Sequence, residues 1–71
     1  MKLHYYPETD SLYIELRDAP AVETREIAAG FNVDFDSAGR AVGIDIDGAG
    51  ANFDLTRLEA VGLPIGSLKA A

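Results

Sequence analysis

The chain has 71 residues, of which 48% are hydrophobic and 25% charged, and its formal net charge is −6. This composition excludes a disordered segment, and the length predicts a single domain that buries only roughly 60% of its unfolded surface. The chain contains no cysteine, which excludes disulfides and cysteine-bound zinc as sources of stability. Association of two copies is the remaining common device, so we predict a homodimer.

The charge and hydropathy patterns disfavour two classes of partner. Binding to nucleic-acid phosphates needs clustered basic residues, whereas the six Lys and Arg residues are scattered from Lys2 to Lys69. No apolar run approaches the ~20 residues of a membrane span, and the first residues lack the signature of a signal peptide. We therefore expect a cytoplasmic protein that binds neither nucleic acid nor membrane. Its acidic surface suits a basic protein partner.

The first two predicted strands form a β-hairpin. Residues 2–6 (KLHYY) and 12–17 (LYIELR) alternate apolar and polar side chains, and the intervening residues favour a turn. An apolar–apolar register predicts the pairs Leu3–Leu16 and Tyr5–Ile14 on one face, and His4–Glu15 and Tyr6–Tyr13 on the other. A weaker third strand, residues 22–27, is polar enough to be an edge strand. Gly30 then permits a sharp reversal.

The second hairpin is the clearest element. Residues 31–36 and 42–47 alternate strictly, and the four-residue loop SAGR joins them. Pairing Phe35 with Val42 and Val33 with Ile44 keeps the apolar residues on one face, whereas a one-residue slip would expose them.

In the C-terminal part, the spacing of the apolar residues changes from the alternation of a strand to that of a helix. Leu55, Leu58 and Val61 recur at helical spacing, and Gly62 is a suitable C-terminal stop, so we predict a short helix over residues 52–62. The tail, residues 63–71, is apolar for a terminus. It either folds back on the sheet or docks on a second copy.

These elements predict a single α+β domain. Residues 1–47 form an antiparallel β-meander of four to five strands, and the helix packs on its apolar face. The predicted core comprises Leu3, Tyr5, Leu12, Ile14, Leu16, Phe31, Val33, Phe35, Val42, Ile44, Ile46, Leu55 and Leu58.

Four aspartates in the second hairpin raise the question of a metal site. The predicted register places no two of their carboxylates directly opposite each other, as expected of a solvated face. A calcium loop would use Asp34, Asp36 and Asp45 at its first, third and twelfth positions, but Ala38 stands where an oxygen ligand is needed. We favour the solvated face and keep a weak cation site or an acidic docking patch as alternatives.

No catalytic constellation is visible. His4 is the single histidine, and no serine is flanked by the glycines of a nucleophile elbow, so we predict that the protein is not an enzyme. Gly48 and Gly50 lack the spacing of a phosphate-binding loop and favour a tight turn. Tyr6 and Tyr13 are amphipathic and suit either a surface pair or an interface. The predicted interaction residues are Tyr6, Tyr13, Leu63, Ile65 and Leu68.

Two linked motifs, "LHYYPETDSLYIEL" and "REIAAGFNVDFDSAGRAVGIDI", closely resemble the bacterial family named domain of unknown function 2283. The resemblance covers roughly positions 1–47 and implies the same two hairpins followed by a short helix. It carries no established activity and no cofactor. It also implies an antitoxin-like or regulatory role, because some relatives are encoded beside small toxins.

Two functional hypotheses follow. The first is a non-enzymatic protein-interaction module, homodimeric and directed at a basic protein partner. The alternative is a small-ligand or divalent-cation binding protein that uses the acidic face of the second hairpin.

Overall fold

The structure, a computed structural model, describes residues 1–66 of the chain. Its elements are β1 (Lys2–Tyr6), β2 (Ser11–Glu15), β3 (Glu23–Ala28), β4 (Phe31–Phe35), β5 (Ala41–Asp47) and α1 (Ala49–Asn52). The five strands form an antiparallel sheet in the order β1-β2-β5-β4-β3. The predicted antiparallel sheet is confirmed, and β3 lies at an edge as its polar sequence indicates.

The strand order corrects the predicted meander, because β5 lies between β2 and β4. β5 is the longest strand and the one with buried residues, Val42 and Gly43, and the centre of a sheet is where such a strand is best covered by neighbours. The seven residues 16–22 carry the chain from β2 to the far edge, which leaves room for β5 beside β2. The polar strand β3 therefore lies at the edge of the sheet.

The register of the first hairpin corrects the prediction by two residues. Leu3 pairs with Ile14, Tyr5 with Leu12, and His4 with Tyr13. The cause is a tight turn, in which the amide of Thr9 donates to the carbonyl of Tyr6. The shift is even, so every side chain keeps its predicted face.

The second hairpin follows the predicted register up to its loop. Val33 pairs with Ile44 as predicted, whereas Phe35 pairs with Ala41 and not with Val42. Val42 is the extra residue of a β-bulge on β5. The bulge lies next to a loop that is closed by hydrogen bonds between Asp36 and Arg40.

The predicted helix over residues 52–62 is wrong. The helical turn α1 ends at Asn52, and Phe53 is already extended. Asp54 accepts hydrogen bonds from the backbone and hydroxyl of Thr56, a local arrangement that competes with helix formation. An eleven-residue helix would also need tertiary packing, because helices shorter than ~12–15 residues are marginal by themselves.

The register gives the sheet two different faces. The residues of the apolar face, as we name it, are Leu3, Tyr5, Leu12, Ile14, Phe31, Val33, Phe35, Ile44 and Ile46. The residues of the polar face are Lys2, His4, Tyr6, Ser11, Tyr13, Glu15, Thr24, Glu26, Asn32, Asp34, Gly43, Asp45 and Asp47.

The predicted core is wrong in its degree of burial. Of its members, only Val42 is buried, while Leu3 and Tyr5 are each 46% exposed. The reason is that residues 53–66 form no helix to cover the sheet. Residues 1–66 therefore form one layer whose apolar face is incompletely covered.

Within residues 1–66, no helix is both long enough and apolar enough to cross a membrane.

Candidate functional site

The centre of the apolar face is an uncharged row of side chains that crosses four strands. Leu3, Ile14, Ile44 and Val33 are successive cross-strand partners in this row. The row ends at Arg25 on the edge strand β3, and its guanidinium lies 3.9 Å from the centroid of the Phe35 ring. This contact is a cation–π interaction, and it places the positive charge at the margin of the face.

The segment after α1 covers one end of the apolar face. The ring of Phe53 packs edge-on against that of Phe31, with the centroids 6.0 Å apart. Residues 54–58 line a cleft of about 540 Å³ together with Leu3, Tyr5 and Leu12. The cover is loose, since Leu58 is 69% exposed.

The apolar residues beyond this cleft also lack cover. Leu63 and Ile65, both predicted interaction residues, are exposed. Leu68, the third predicted tail residue, lies outside the described residues. The described tail thus leaves apolar side chains free for contact with another molecule.

Asp10 anchors α1 to the first hairpin, a role that the sequence pattern did not predict. Its carboxylate accepts hydrogen bonds from the Tyr5 hydroxyl at 2.6 Å and from the amides of Gly50 and Ala51 at 2.8 and 3.2 Å. The bond from Tyr5, followed by that from Gly50, lowers the pKa of Asp10. The sequence signal was an aspartate at a turn, and here it adopts a left-handed φ of 52°.

Replacing Asp10 by alanine should release α1 from the first hairpin. Amide hydrogen exchange of Gly50 and Ala51 should accelerate at least about tenfold, because both amides lose their carboxylate acceptor. The amide of Asp47, which donates to the carbonyl of Gly30, provides the internal control and should change little. Equal exchange rates in the variant and the wild type would contradict the anchoring role.

A hydrogen-bonded array crosses the polar face. Asp34 accepts from the Tyr13 hydroxyl at 2.9 Å and from the Thr24 hydroxyl at 2.5 Å. Tyr13 reaches Asp34 by lying over Gly43, where a Cβ atom would overlap its hydroxyl and ring. The array therefore requires glycine at position 43 because any larger residue would clash with Tyr13, and not because of its backbone conformation.

The array gives Tyr13 an unusual titration. Burial, the hydrogen bond to Asp34 and the surrounding negative charges raise the pKa of Tyr13 to about 12. A raised pKa means that folding stabilises the protonated hydroxyl, so this contribution is present below pH 10 and is lost between pH 10 and 12.

The substitution Tyr13→Phe should therefore flatten the alkaline limb of the stability profile. Denaturant unfolding measured between pH 8 and about 11.5 should show a smaller decline in the variant than in the wild type. Tyr6→Phe on the same face is the matched control and should keep the wild-type decline. Parallel profiles for Tyr13→Phe and the wild type would contradict the assigned titration.

The three candidate cation ligands have different environments. Asp36 is only 6% exposed, and its carboxylate accepts from the amides of Ala38 and Arg40 and from the Arg40 side chain. The Arg40 amide, aided by that of Ala38, lowers the pKa of Asp36. The solvated-face interpretation is wrong for this residue, because its carboxylate closes the hairpin loop.

Asp34 and Asp45 lie on the polar face but do not complete a cation site. Both oxygens of Asp34 accept hydrogen bonds from hydroxyl groups. Burial, followed by the charges of Asp47 and Asp34, raises the pKa of Asp45. Within residues 1–66, no group of three acidic or histidine side chains is arranged to hold a metal ion.

The two predicted interface tyrosines are not neighbours, which corrects the predicted Tyr6–Tyr13 pair. Tyr6 pairs with Ser11 and lies beside the ring of His4, with centroids 6.5 Å apart. His4 pairs with Tyr13 and not with the predicted Glu15. Tyr13 is engaged within its own chain, so Tyr6 is the more available of the two for a partner.

Residues 2–49, more than half of the chain, match the sequence model of a family described as "Protein of unknown function (DUF2283)". No curated protein matches the chain significantly. No solved structure does so either.

Proposed function

The chain belongs to the family of proteins of unknown function DUF2283, and we propose that it is a non-enzymatic protein-interaction module. The observation that carries this proposal is the incompletely covered apolar face, on which Leu3 and Tyr5 are each 46% exposed. The four strands that contribute its residues, at ~4.8 Å between strands and ~3.3 Å per residue over about five residues, span an area of roughly 300 Å². The largest apolar patch on a typical single chain has roughly 300–600 Å² and is often a contact surface.

The polar groups support binding rather than chemistry. The carboxylates of Asp10, Asp34 and Asp36 all accept hydrogen bonds that hold the fold together. His4 is the single histidine, and it pairs with Tyr13 and lies beside Tyr6. Neither neighbour forms a nucleophile–base pair with it.

The polar face suits a second, basic partner. It carries five carboxylates, of Glu15, Glu26, Asp34, Asp45 and Asp47, against the single ammonium group of Lys2. The pKa of Asp45 is raised partly by its acidic neighbours, which indicates negative charge that a cationic surface would relieve. An antitoxin-like or regulatory role, in which this face binds a basic protein, fits that charge distribution.

Photo-cross-linking in living cells tests the interaction role of the apolar face. Benzoylphenylalanine is placed at Val33 on the apolar face, and at the adjacent Asn32 on the polar face as the matched control. We expect protein adducts from position 33 that differ from any formed at position 32. Absence of every protein adduct from position 33 would contradict the proposed function.

A further inference from the structure

We propose that the occupant of the apolar face is a second copy of this chain, packed sheet against sheet about a two-fold axis. This inference rests on the proposed function and names the partner of the same surface. Four observations carry it: the exposed area, the distribution of charge, the position of β5 and the exposed apolar residues of the segment after α1.

The apolar face and the segment after α1 together offer about the area that a dimer interface needs. The accessible surface is 5555 Å², whereas a compact chain of 7.6 kDa exposes roughly 4,300 Å². Residues 51–66 are all exposed and account for part of this excess of about 1,250 Å². A standard protein interface removes about 800 Å² from each partner, so the apolar face would supply a little under half of it and the exposed segment after α1 the rest.

The charge distribution selects the apolar face for self-association. Two polar faces could not meet, because each carries five carboxylates and a single lysine. On the apolar side, charged residues of the described strands occur only on the edge strand β3, where Glu23 and Arg25 lie 3.3 Å apart and offset each other. Protein interfaces commonly have an uncharged centre and a charged or polar margin.

The strand order determines which residues would meet. β5 is the middle strand of five, so any two-fold axis through the centre of the face lays β5 over β5 of the second copy. Ile44 is the apolar residue at the middle of β5 and of the uncharged row. Ile44 therefore lies at the centre of the proposed contact.

The C-terminal segment adds apolar surface at the same side. Phe53 and Leu55 adjoin the apolar face and remain 47% and 39% exposed. A second sheet placed on this face would cover these side chains as well. The segment then forms one wall of the contact rather than a complete lid.

Sedimentation equilibrium of the purified full chain tests this inference. We expect a mass of twice 7.6 kDa at micromolar concentration. Ile44→Lys should raise the dissociation constant of the dimer at least about 30-fold, because it places a charge at the centre of the contact. Leu3→Lys should also weaken the dimer, and a single copy tolerates it since Leu3 is 46% exposed.

Asn32→Lys is the matched control, because it adds the same charge on the polar face. It should leave the dissociation constant within about threefold of the wild type. A wild-type chain that stays monomeric at millimolar concentration would overturn the inference, as would equal weakening by Asn32→Lys and Leu3→Lys. If the monomeric chain still cross-links to another protein from position 33, the proposed function survives and the second copy is excluded.

Discussion

Replacing Asp36 by alanine should lower the midpoint of thermal unfolding by roughly 10 °C or more, one of the largest effects expected of a single substitution in a domain of this size. Asp36 is 6% exposed and provides the acceptor for the amides of Ala38 and Arg40. Alanine would leave both amides without that acceptor, and the second hairpin contributes the central strand β5. Calorimetry or circular dichroism on heating measures the effect.

Asp47→Ala is the matched control, since Asp47 belongs to the same hairpin but its side chain is exposed. It should change the midpoint by no more than a few degrees. The pKa of Asp36 is lowered in the folded chain, so its contribution is present at neutral pH and is lost as the pH falls through the folded value. Equal midpoints for Asp36→Ala and the wild type at pH 7 would contradict the role of Asp36 in the loop.

Gly43→Val should destabilise the fold by about 2–3 kcal/mol and disconnect Tyr13 from Asp34. A side chain at position 43 occupies the space that the Tyr13 ring now fills, so the ring has to leave the sheet. The hydroxyl then loses both its cover and its hydrogen bond. Denaturant unfolding measures the destabilisation.

A spectroscopic titration of the tyrosines supplies the specific signature for Gly43→Val. The pKa of Tyr13 should fall from about 12 towards 10, because its causes are burial and Asp34. Gly66→Ala is the control, since a Cβ atom there meets nothing within 4 Å. A stable Gly43→Val variant with an unchanged titration would show that Tyr13 does not lie over Gly43.

The alternation of side chains was sufficient to predict the two faces of the sheet. It placed Val33 opposite Ile44 and left no two carboxylates directly opposed, and the structure agrees. Alternation cannot detect an even shift in register, because a two-residue shift keeps each side chain on its face. That is why the pairing of Leu3 was wrong while its face was right.

The remaining differences have non-local or competitive causes. The insertion of β5 between β2 and β4 depends on contacts between distant parts of the chain, which periodicity does not encode. The helical spacing of Leu55 and Leu58 predicted a helix, but local hydrogen bonds to Asp54 take its place. Asp10 and Asp36 resemble ordinary turn residues in sequence, and only the structure identifies the amides that they bind.

We expect another protein surface to cover the apolar face in solution. Attenuation of methyl signals by a soluble paramagnetic agent tests this claim most directly, at Ile14, Val33 and Ile44 on the face and at the exposed Val22 and Ile27 as references. The methyl groups of the three face residues should be protected at high protein concentration and become accessible on dilution. Attenuation of the face methyls, relative to the references, that does not change with protein concentration would contradict this prediction.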